Sequence, residues 1–188
     1  MTARGPVAPE PPVRWPSNGG QNEWVPTQDD SAARWAAWCA FVLGGASAAV
    51  SLYWAVGGSA LLDTVGGSVE RWGRERSFAV LVVLLVVAAL KLLIAVAAPL
   101  TAGAIDAPAW TAGHVPRILS WVAASTLILY GGVLTVGGLL VQSGVIDPSL
   151  DADRHALAWH ALFWDPWFLL WGAAFAVALW RTRPRANG

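Results

Sequence analysis

The run from Phe78 to Leu100, FAVLVVLLVVAALKLLIAVAAPL, decides what this chain can become. Lys91 is its only charged residue, and Pro99 stands at its far end. As a helix such a run rises about 1.5 Å per residue, enough to cross a hydrocarbon core about 30 Å thick. Three more apolar blocks accompany it. The first runs from about Ala32 to Val56, with Trp35 and Trp38 at one end and Tyr53 and Trp54 at the other. Trp35 to Trp54 spans roughly 29 Å of helix, and Trp favours the depth where its ring is apolar and its N–H stays wet. Another block runs from about Ile118 to Val141, with Trp121 near its entry and paired glycines towards its exit. The last lies within His155–Trp180 and is interrupted by Asp165-Pro166, so the span starts either near His155 with a kink or at Asp165 after a short interfacial segment, Leu157–Trp164.

The sequence therefore predicts an all-α fold, a bundle of four transmembrane helices over residues 32–182. The expected spans are about 32–56, 78–100, 118–141 and 157–180. Composition agrees: 56% of the 188 residues are hydrophobic and 13% charged, against about 25% charged in an ordinary soluble domain. Residues 1–31 hold six of the twelve prolines and show no apolar period, so a disordered tail is expected there. No apolar segment near the start suggests a signal peptide. Residues 183–188 form a short basic tail.

Charge sets the expected orientation. Four spans leave both termini on one side, with Arg4, Arg14, Arg34, Arg117, Arg181, Arg183 and Arg185. The other side has Arg71, Arg74, Arg76 and Arg154. Seven against four favours cytoplasmic termini in the cell membrane. The zero net charge gives no reason to expect a nucleic-acid partner. The expected partner is the lipid bilayer, with other membrane proteins or further copies of this chain left open.

Chemistry is sparse. Cys39 is the single cysteine, which excludes an internal disulfide, a CxxC redox pair and a Cys-rich metal site. With the fourth span starting at Asp165, no histidine lies within a span, so haem held between opposing helices is not expected. Hydrolase triad spacing and phosphate-binding glycine loops are both missing. No cofactor and no metal is expected. His155 and His160 are five residues apart, a poor spacing for one metal on a helix. The apolar core itself offers only Lys91, Tyr53 and Tyr130. Candidate ligand-binding residues are Tyr53, Trp54, Asp63, His160 and Asp165, all placed near the outer face.

Three stretches carry a resemblance. They are LYWAVGG at Leu52–Gly58, Leu62-Asp63 with the glycines that follow, and WDPWFLLWG at Trp164–Gly172. Together they resemble a family of small bacterial four-helix membrane proteins catalogued only as a domain of unknown function. The resemblance extends over about Trp35 to Arg181. It implies a four-span helical fold and brings no activity and no site residues.

Two functional readings follow. The favoured one is a non-catalytic structural, accessory or partner-binding bundle, because ionisable groups in the spans are few and such groups mark ion and substrate paths. The alternative is a small-ligand carrier, or a lipid- or quinone-modifying enzyme, with its site at the outer face. Two residue roles are expected in detail. Lys91 snorkels to the cytoplasmic interface in preference to bonding hydroxyls on the third span, at Ser125, Thr126 or Tyr130. Asp165 caps the fourth span, because Asp suits the residue before a first-turn proline.

Overall fold

The computed structural model describes residues 28–75, 77–106, 108, 111, 113–149 and 152–182. The tail expected at residues 1–31 lies almost wholly outside them, as does the basic tail at 183–188. Among the described residues six α-helices follow in order: α1 (Gln28–Ala55), α2 (Gly67–Glu75), α3 (Phe78–Thr101), α4 (His114–Gln142), α5 (Arg154–Trp159) and α6 (Asp165–Arg181). A π-helical turn, His160–Trp164, joins α5 to α6 without a break. Among the described residues four helical segments are long and apolar enough to cross a membrane: Ser31–Ala55, Phe78–Thr101, His114–Gln142 and Arg154–Arg181. The fold is thus all-α with four candidate spans.

α1 and α6 form the middle of the arrangement: they pack on each other, α1 also packs on α3, and α6 also packs on α4. α3 and α4 touch only lightly. The tight core lies in the half of the bundle near the chain termini. There Ala40, Ala95, Ala98 and Ala124 leave room that Trp171, Phe175 and Leu179 fill. Small residues let helix backbones approach, which replaces the hydrophobic drive that lipid does not supply. Gly172 shows how close: a Cβ there would lie 2.8 Å from the Ile128 backbone nitrogen of α4. Gly44 of α1 likewise faces the Trp171 ring and Ala95. At the terminal face Arg117 donates to the Leu179 carbonyl at 2.6 Å, satisfying one of the last acceptors of α6.

The opposite end, here the loop face, carries the connection from α1 to α2. Its turn after Ala55 is closed by Gly58 N–H donating to the Tyr53 carbonyl at 2.8 Å. Leu62 is buried to 1% exposure, and its side chain packs under Gly73 of α2. Its neighbour Leu61 adopts a left-handed φ of 61°, uncommon for a residue with a β-carbon. Gly66 also takes a positive φ, and there a β-carbon would meet Ala156 of α5. The connection is therefore pressed onto the helices beneath it. Ser77 begins α3 as an N-cap, its hydroxyl accepting from the Val80 N–H at 3.4 Å.

The fourth span corrects the expected cap. Asp165 has helical backbone angles and no capping bond; the span begins earlier, at Arg154. Asp153 is the cap, its carboxylate accepting from His155 N–H at 3.0 Å and Ala156 N–H at 3.1 Å. Pro166 does not end the helix. It has no N–H for the residue four back, and the widened turn just ahead of it is the adjustment that lets the helix run on.

Candidate functional site

In a π turn the N–H of residue i+5 bonds the carbonyl of residue i. Asp165 N–H donates to the His160 carbonyl in this way. Residues five apart, which diverge around an α-helix, come onto one face here. His160 Nδ1 consequently lies 3.2 Å from Asp165 Oδ1. The other ring nitrogen, Nε2, lies 3.2 Å from the Val65 carbonyl in the loop. A carbonyl only accepts, so Nε2 carries a proton. Nδ1 shares its hydrogen bond with Asp165, so both ring nitrogens of His160 are engaged. Asp165 is 3% exposed, where a carboxylate needs such a partner.

The pair is one of several ties holding the loop down. Trp164 Nε1 donates to Thr64 Oγ at 3.0 Å, and that hydroxyl donates to the Leu61 carbonyl at 2.6 Å. Trp54 Nε1 donates to the Ala60 carbonyl at 2.9 Å, with the Trp54 and Trp164 rings 5.9 Å apart. The Tyr53 ring packs on Gly58, and its hydroxyl accepts from the Ala60 N–H at 3.4 Å. Outside these, Asp63 and His155 face each other at 4.0 Å, both exposed.

Beneath the loop lies a cavity of about 510 Å³. α1 contributes Ser51 and Trp54, and the fourth span contributes His160, Trp164 and Phe168. α3 lays a stripe of Val80, Val83 and Val87 along it, ending at Lys91; Tyr130 comes from α4 and Trp72 from α2. Val83 and Tyr130 are 56% and 49% exposed, so the mouth opens sideways between α3 and α4. In a bilayer that side faces lipid.

Lys91 marks the deep end. It lies thirteen residues past Phe78 and ten before Thr101, roughly 20 and 15 Å from the two ends of α3. Nζ donates to Ser51 Oγ at 2.9 Å and lies 5.4 Å from the Phe168 ring centroid. Tyr130 meets the same ring edge-on at 5.5 Å. The expected snorkelling to the terminal face is overturned. Helical side chains lean towards the helix N-terminus, and the N-terminus of α3 is at the loop face. Lys91 is thereby aimed into the cavity, at α1 rather than at Ser125 or Thr126, which are exposed.

Of the residues expected to form a site, the structure puts Trp54 and His160 on the cavity wall. Asp165 stands behind His160, while Tyr53 and Asp63 belong to the loop and its rim. The expectation that histidine lies outside the spans is corrected, because His160 falls within the continuous segment Arg154–Arg181. Ser51, Phe168, Trp72 and Val83 were not singled out by sequence. Lys91 and Tyr130 carried a signal, as polar groups in apolar runs. Among the described residues no three His, Cys, Asp or Glu side chains converge as a metal site.

The profile of a family described as "Protein of unknown function (DUF3995)" matches residues 43–175. The chain belongs to that family. The matched range of DUF3995 holds the whole cavity wall, the loop and the π turn. It also holds all three stretches on which the resemblance rests. No curated protein and no solved structure matches the chain. The family description carries no activity, so function has to be argued from the site.

Proposed function

We propose that this DUF3995 protein is a non-catalytic, multi-pass protein of the cell membrane that holds a small apolar or amphipathic molecule in its lateral cavity. The single observation behind this reading is the cavity itself, roofed by a clamped loop and open towards lipid through α3 and α4. Ligand sites are concave, mostly apolar and equipped with a few polar groups that fix orientation. Here Lys91, Ser51 and Tyr130 are those groups. A purely structural bundle has no need of a lysine held near mid-membrane, and intramembrane charges mark functional sites by default. Binding without chemistry is favoured because both nitrogens of His160 are taken by Asp165 and Val65, leaving it no free lone pair to act as a base. The domain is taken as 32–182, with both termini cytoplasmic and the loop face outside.

The reading is tested by purifying the full chain in mild detergent and identifying co-purified small molecules by mass spectrometry. A lipid-soluble compound should be enriched over bulk lipid, and Val83→Trp, which fills the cavity, should remove it. Equal recovery from both proteins would contradict the reading.

A further inference from the structure

The polarity of the cavity narrows its occupant. A phospholipid carries its polar group at the membrane surface, yet the donor here is at the deep end, near the middle of α3. The wall towards the loop is mostly apolar or aromatic; its polar groups, the His160 ring and the Trp54 and Trp164 N–H groups, are already engaged by Asp165 and by the loop. An occupant matching this pattern is itself soluble in the membrane interior. It has a flat face for Phe168 and Tyr130 and carries an acceptor for Lys91. Of the three N–H donors of an ammonium, one goes to Ser51. Among the described residues no carboxylate pairs with it, and Asp165 is engaged by His160.

Resting on the cavity being a ligand site, we propose that its ligand is a flat, carbonyl-bearing aromatic ring of the quinone class, entering from the bilayer between α3 and α4. Lys91 donates to one ring carbonyl while Phe168 and Tyr130 pack on the ring. A neutral carbonyl suits the site better than an anion. It reaches mid-membrane without the desolvation cost of a second charge, and it still accepts a charge-assisted hydrogen bond. The proposal concerns binding alone, with no electron or group transfer.

The test uses the full chain in lipid nanodiscs, dialysed to equilibrium against menadione, with empty nanodiscs as the blank. 2-Methylnaphthalene, the same ring without carbonyls, is the control, and palmitate is the competitor. Wild type should bind menadione saturably, and about tenfold or more tighter than 2-methylnaphthalene. Lys91→Met should lose about that factor for menadione and none for 2-methylnaphthalene, which also reports that the variant is folded. Val83→Trp should bind neither. Equal affinity of Lys91→Met and wild type for menadione would overturn carbonyl recognition and leave the cavity reading standing. So would palmitate binding through Lys91 in place of menadione. Failure of wild type to bind either ring, with no molecule co-purifying, would instead bring down the cavity reading itself.

Discussion

Lys91 and Ser51 form the pair on which the deep end of the cavity depends. Their bond is charge-assisted, and the two residues are not equivalent. Ser51→Ala leaves an ammonium facing an apolar wall without its acceptor, at a cost of about 1–3 kcal/mol. Lys91→Met removes the charge and keeps a long apolar side chain, a replacement that is often neutral or stabilising. In the double variant the cost of Ser51→Ala should vanish. Thermal unfolding of all four proteins in detergent measures the cycle, and additive losses would show that the two side chains do not interact. A similar asymmetry applies at His160. Asp165→Ala leaves His160 unpaired on one side and should cost about 1–3 kcal/mol. It should also speed protease cutting between Gly57 and Gly67, because the His160 bond to Val65 loses its support. Unchanged cutting and unfolding would mean that the pair does not hold the loop. None of this was legible from spacing alone, since residues five apart converge only in a π turn. The direction of Lys91 was legible, in the lean of helical side chains towards the N-terminus.

At the scale of the element, the apolar runs identified the spans because length and hydropathy suffice to mark a membrane crossing. The cap of the fourth span was misplaced for a physical reason. Asp165-Pro166 has the form of a cap followed by a first-turn proline, yet Asp153 makes the capping bonds one and a half dozen ångströms or so up the helix. Proline ends a soluble helix more readily than a membrane one, where local widening of the turn is tolerated. Asp153→Ala should therefore destabilise by about 1 kcal/mol and fray α5, while Asp153→Asn should be mild because Asn also caps. Thermal unfolding checks both. A neutral Asp153→Ala would remove the capping role.

Over the whole molecule, the small residues that close α1 and α3 onto the fourth span are gathered near the termini, while Gly131 and Gly138 keep α4 against the fourth span further towards the loop. The bulky aliphatic stripe of α3 lies near the loop, where α3 and α4 part. Closure at one end and a cavity at the other follow from that division. Which helices would meet at Ala95 and Gly172 was not readable from the sequence. Orientation is tested by reporter fusions after Trp24 and after Arg185: both should report the cytoplasm, and an external signal from either would reverse or break the topology. The most direct measurement on the central claim is native mass spectrometry of the full chain released from nanodiscs. Wild type should carry one bound small molecule that is absent from the folded Val83→Trp variant. Identical spectra, with or without an adduct, would contradict a ligand cavity between α3 and α4.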